Sequence, residues 1–130
     1  MIGLLWLAAC GEGSPAPAAQ VRPDDAALQQ AVRQGRDGTE VTFNATLLTD
    51  PATVNGHERF EARSGTGDVL EVDHNVQLAP AVPARSGDRV VVRGQLYLDP
   101  GRAGVHCTHR ETSRGCPRPG FIDFQGKAFD

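Results

Sequence analysis

Ser86-Gly87-Asp88-Arg89-Val90-Val91-Val92-Arg93-Gly94-Gln95-Leu96-Tyr97-Leu98 decides the fold. Ser-Gly-Asp is turn chemistry, because Gly accepts a positive φ and Asp hydrogen-bonds its own backbone. The run that follows is the most β-prone of the chain, rich in the β-branched residues that pack on a pleated surface. Arg89, Arg93 and Tyr97 share one face of it, since side chains alternate along a strand. Gly94 sits in its middle. A glycine inside a long strand marks the sharp bend that a small barrel requires.

Period-two alternation extends upstream from this strand. In Glu40-Val41-Thr42-Phe43-Asn44-Ala45-Thr46-Leu47 the odd positions are apolar, which predicts a half-buried strand. Pro51 to Gly56 reads as a turn region. His57 to Arg63 predicts a second strand with Phe60 and Ala62 facing in and Arg59 and Arg63 facing out. Ser64-Gly65-Thr66-Gly67-Asp68 predicts a hairpin turn. Val69 to His74 predicts a third strand, with Leu70, Val72 and His74 inward. Weaker strands are expected over Val105 to Thr108 and Phe121 to Phe124. Before all of these, Pro23 to Gly35 predicts one short helix, with Pro23, Asp24 and Asp25 suiting its first turn and Gly35 its end. The sequence predicts an all-β fold, a small OB-like five-stranded barrel preceded by one short N-terminal helix. The 130 residues suffice for one domain and not for a multi-domain enzyme. With 15 Gly and 9 Pro, the composition argues against a helical bundle.

The N-terminal stretch has a different character. Ile2, Leu4, Leu5, Trp6 and Leu7 form an apolar run too short to span a bilayer, which takes roughly 20 residues. Leu7-Ala8-Ala9-Cys10 resembles the lipobox of bacterial lipoproteins, in which the cysteine is acylated and becomes the new N-terminus. No Lys or Arg precedes the run. Residues 11–20 are small, polar or proline, a composition that buries no core and keeps the chain extended. The expected organisation is a lipoprotein signal over 1–9, a flexible tether over 10–22, and the barrel domain over 23–130. Cys10 is the expected lipidation site, the membrane the expected partner, and the cell envelope, facing the periplasm or exterior, the expected location. Of the three cysteines, Cys107 and Cys116 then remain as an even pair, and an exported protein sits where disulfides persist. A Cys107–Cys116 disulfide is expected; two free thiols are the alternative.

Four strings recur in a recognisable order: His57-Glu58-Arg59-Phe60, His74-Asn75-Val76-Gln77-Leu78-Ala79-Pro80, Gly87-Asp88, and His106-Cys107-Thr108-His109. They resemble the bacterial domain-of-unknown-function family 3465, which shows His-Gln-Arg-Phe, His-Asn-Ile-x-Leu-Ala-Pro, Gly-Asp and His-Trp-Thr-His. The resemblance spans roughly 38–129. It implies a small exported or envelope OB-like domain and brings no activity. Cys107 stands where the family carries Trp, and Arg110-Glu111-Thr112 where it often carries His-Asp-Pro.

All four histidines, His57, His74, His106 and His109, fall inside these strings. Converging imidazoles could hold zinc with an open position, so a small histidine- or metal-dependent hydrolase is the alternative reading. The alternation opposes it, placing His74 inward and His57 outward. Gly-x-Ser-x-Gly, Walker and His-Glu-x-x-His motifs are absent. The net charge of -3 gives no general attraction to nucleic acid, but from Arg85 to Arg118 seven arginines face Asp88, Asp99 and Glu111, a local charge of +4. Arginines beside an aromatic ring can grip phosphate and stack a base. The resulting expectation is a binding or interaction module, without a required cofactor, for an anionic ligand such as single-stranded nucleic acid or an envelope component. His57, Arg59, His74, Asn75, Arg89, Arg93, Tyr97, His106 and His109 are its candidate ligand-binding residues.

Overall fold

A computed structural model describes residues 21–130. The signal expected over 1–9, Cys10 and the tether up to residue 20 lie outside them. One helix, α1 (Asp25–Arg33), precedes eight strands: β1 (Glu40–Leu47), β2 (Ala52–Val54), β3 (His57–Ser64), β4 (Val69–Asn75), β5 (Arg89–Asp99), β6 (Arg102–His106), β7 (Phe121–Phe124) and β8 (Lys127–Phe129). Asp24 caps the helix, its Oδ1 accepting from Ala27 N at 3.0 Å. Gly35 takes the left-handed conformation that ends it.

Five strands close a ring. β1 pairs antiparallel with β3 and with β5, β3 with β4, β4 parallel with β6, and β6 antiparallel with β5. Relabelled within the ring alone, the order is 1-2-3-5-4-1 with one parallel pair between the third and fifth strands. That is the OB-type Greek-key barrel. The expectation of a five-stranded OB-like barrel behind one short helix is met.

The barrel fills itself. Val41, Phe43, Ala45, Leu47, Phe60, Ala62, Leu70, Val72, Val90, Val92, Leu96 and Val105 are buried along alternating positions of the ring strands. Leu28 and Ala31 of α1 join this core, as do Val82 and Ala84 of the irregular β4–β5 connection. β5 is long enough to change partners. It pairs with β1 and β7 in its first half and with β6 in its second. Gly94 lies at the switch. A Cβ there would collide with the His106 carbonyl and lie 2.8 Å from Val105 Cγ1, so only glycine lets β6 approach.

Two local expectations need correction. Residues 52–54 are a short strand hairpinned to β3, because Asn55 and Gly56 both accept positive φ and make the turn tight. The strand expected over Val105–Thr108 lies earlier, over Arg102–His106. It stops because Cys107 adopts φ 57, which breaks the alternation. The hairpin β7–β8 adds a small flap outside the ring.

Candidate functional site

The strings that suggested chemistry meet inside one end of the barrel. Glu58 and His74 are register partners on β3 and β4, and both point inward. His74 is fully buried. Its Nε2 lies 2.9 Å from the Pro80 carbonyl and its Nδ1 2.7 Å from Thr108 Oγ1. A carbonyl only accepts, so Nε2 carries the proton and the Thr108 hydroxyl donates to Nδ1. Burial holds the His74 pKa below its ordinary value, and nearby His109 adds to the shift. Glu58 Oε1 accepts from Val82 N at 3.0 Å, and burial raises its pKa. His74, Pro80 and Thr108 therefore form a clasp joining β4, the β4–β5 connection and the segment after β6. Both ring nitrogens of His74, expected as a ligand contact, are engaged in the core.

The other histidines separate. His57 lies outside on β3, Nδ1 3.0 Å from Asp73 Oδ1 but angled so that no hydrogen bond forms. His106 is also outside, donating from Nε2 to Gln95 Oε1 at 3.0 Å, and burial lowers its pKa. His109 is buried, because the left-handed Cys107 turns the chain inward after β6. Its Nδ1 donates to the Arg110 carbonyl at 2.7 Å. Among the described residues no three His, Cys, Asp or Glu side chains are arranged to hold a metal ion.

The arginines divide into engaged and unengaged. Arg59 Nε sits 3.3 Å from Asp73 Oδ1. Arg93 is held on three sides: Thr42 Oγ1 at 2.8 Å, the Pro119 carbonyl at 3.2 Å, and Glu40 Oε1 at 3.7 Å. It staples β5 to β1 and the segment before β7, so the guanidinium of this expected ligand contact is engaged within the fold. Arg102 is paired with Glu71 at 3.0 Å. Tyr97 lies across Gly104, where any Cβ would strike its ring, and its hydroxyl donates to Glu71 Oε1 at 3.2 Å. Burial and the Glu71 charge push its pKa well above the usual phenol value. The ring lies edge-on to His106, so it is packed against the wall rather than offered for stacking. Asn75 turns the chain, its Oδ1 accepting from Gln77 N at 3.0 Å.

In OB barrels generally, the face of the second and third ring strands takes oligonucleotides. Here that face, β3 with β4, carries Glu61 directly opposite Glu71, with Asp73 nearby, and Asp73 holds Arg59. It does not favour a polyanion.

One strand over, the charge reverses. Arg63 on β3 and Arg89 on β5 are both register partners of Thr46 on β1. The three residues form a row across adjacent strands on the barrel exterior. Strands lie about 4.7–4.9 Å apart, so the arginine Cα atoms are roughly 10 Å apart, close enough to bracket one phosphate. Both arginines are exposed, and neither makes an ion pair among the described residues. They line a groove of about 320 Å³ with Asn44, Ser64 and Asp25. The one carboxylate in it is occupied: Asp25 accepts from Asn44 N at 2.8 Å and Asn44 Nδ2 at 3.2 Å. The outward direction of Arg63 and Arg89 is legible from strand alternation. Thr46 and the meeting of all three depend on the β3–β1–β5 register.

A second cleft, of about 460 Å³, is lined by Asp37, Thr39, Glu40, Gln95, Arg118 and the disulfide Cys107–Cys116. The expected disulfide is present, with Cα atoms 5.4 Å apart. Glu40 forms part of the wall, its pKa raised by burial against the opposing pull of Arg93 and Arg118.

No curated protein matches the chain. Among solved structures it is similar to a chain of a replication protein A heterotrimer bound to single-stranded DNA, with TM-score 0.46 and 20% identity. The match covers 67% of this chain and 57% of that one. The family described as "Protein of unknown function (DUF3465)" matches residues 14–130, and the chain belongs to it.

Proposed function

We propose that this chain is a binding module for an anionic, phosphate-bearing ligand, single-stranded nucleic acid or an envelope component, held at a bacterial membrane through lipidated Cys10. The observation that carries the binding reading is the Arg63–Thr46–Arg89 row. Two guanidinium groups that make no ion pair among the described residues flank a hydroxyl, and guanidinium forks match phosphate oxygens two at a time. An ion pair with a neighbouring carboxylate would neutralise such a site, as it does for Arg59 and Arg102. The anchor reading is supported by Leu7-Ala8-Ala9-Cys10 and the proline- and alanine-rich stretch after it.

Fluorescence anisotropy of a labelled single-stranded oligodeoxynucleotide tests the first part, with binding expected at low salt and lost as salt rises. Mass spectrometry of detergent-extracted protein tests the second. A chain beginning at acylated Cys10 is expected, and an unmodified Cys10 in the membrane fraction would overturn it.

A further inference from the structure

Cys107 and Cys116 differ in their surroundings. Cys107 is buried, and its sulfur faces two acceptors, the Gly115 carbonyl at 3.5 Å and Gln95 Oε1 at 4.0 Å. Acceptors favour a protonated thiol there once the bond is open. Cys116 is half-buried, and its sulfur lies 3.5 Å from His109 Nε2. Because His109 Nδ1 must carry the proton donated to the Arg110 carbonyl, the neutral ring presents a bare lone pair at Nε2 to that sulfur. A base placed against a thiol converts it to the thiolate, the reactive form. Both cysteines line the 460 Å³ cleft, which gives an external thiol an approach to the bond. The charged groups facing this place are Asp37, Glu40 and Arg118 across the cleft, with His74 and His106 near His109.

We propose that the Cys107–Cys116 disulfide is a thiol–disulfide exchange site that reacts with an external dithiol through Cys116, with His109 as the proton acceptor and donor at that sulfur. An external thiolate attacks Cys116 Sγ, the Cys107–Cys116 bond breaks, and Cys107 Sγ leaves with the electron pair and takes a proton from solvent. The second thiol of the reagent, as its thiolate, attacks the reagent sulfur bound to Cys116. Cys116 leaves as thiolate and takes a proton through His109, whose Nε2 first binds one from solvent and then hands it to the sulfur, so the ring ends neutral. The protein disulfide is reduced to two thiols and the dithiol oxidised to a disulfide, two electrons and two protons in all. The reverse sequence, begun by the Cys116 thiolate, oxidises the pair. This site is separate from the arginine row, so either can fail alone.

The test is mass-mapped alkylation of the folded, dithiothreitol-reduced full chain. At about pH 6 an ordinary thiol is almost wholly protonated, whereas a histidine-paired one is not. Cys116 is expected to react roughly fivefold or more faster than Cys107, after allowing for the lower nucleophilicity of a more acidic thiol. His109→Gln is expected to remove the difference. Equal rates at both cysteines in the folded protein, or a disulfide that dithiothreitol opens only after denaturation, would overturn the proposal. The Cys107→Ser variant gives a second reading: its Cys116 should capture an oxidised dithiol probe as a mixed disulfide. Failure to capture it in a chain whose circular dichroism matches the native fold would overturn the proposal too.

Discussion

Replacing Arg63 and Arg89 by alanine, singly and together, is the sharpest measure of the binding reading. Each arginine that neutralises a phosphate on a single strand contributes about −0.7 to the slope of log affinity against log salt, so the pair predicts about −1.4. Raising salt from about 50 to about 200 mM should then weaken binding roughly sevenfold in the native protein and only about 2.5-fold in either single variant. Both side chains are exposed on the barrel wall, so their loss should alter stability by no more than about 0.5 kcal/mol. Arg93→Ala is the internal control. Its guanidinium is spent on Thr42, Pro119 and Glu40, so the salt slope should stay at the native value while stability falls. Anisotropy titrations of a labelled oligothymidine across a salt series read all five proteins. A slope unchanged in the double variant would refute the reasoning, as would a slope that falls only with Arg93→Ala.

Two further outcomes follow from the clasp and the disulfide. Reducing the disulfide, whose cysteines are 9 apart in sequence, should cost roughly 2.5 kcal/mol from loop-closure entropy and lower the melting temperature by about 10 °C or more, read by differential scanning calorimetry with and without reductant. The His74 ring stays neutral in the fold because its pKa is lowered. The unfolded chain therefore binds a proton that the folded one does not, and the His74 contribution, complete above the unfolded pKa near 6.5, declines as pH falls below it. The native protein's advantage over His74→Gln in urea unfolding should therefore shrink between about pH 7.5 and about pH 5. An advantage that grows over that interval would contradict the assignment. Comparing the two proteins at each pH cancels the opposite contribution of Glu40 and Glu58, whose raised pKa values favour the fold toward acid.

Local rules were enough to read the elements. Alternation places Phe43, Phe60, Leu70, Val72, Val92 and Leu96 inside, and Gly94 at the bend, because a strand's side chains have only two directions and one of them faces the core. The same rule separates His74 from His57 without coordinates. It fails at residues 107–109, where a left-handed cysteine redirects the chain and buries His109. No composition cue signals that conformation in a non-glycine residue.

The candidate site was less legible for a related reason. Residue order alone is enough to read a small turn-rich barrel behind a helix, to point Arg59, Arg63, Arg89 and Arg93 outward, and to pair Cys107 with Cys116. Which arginines remain available depends on the closed barrel. Asp73, Glu40, Glu71 and Thr46 reach their partners through strand register, and register is set when distant strands close the barrel and one face is buried. A one-residue slip of β1 would send Thr46 into the core and leave Arg63 and Arg89 with nothing between them. Charge counts along the chain record how many guanidinium groups exist; the closed sheet decides which of them meet a carboxylate and which meet each other.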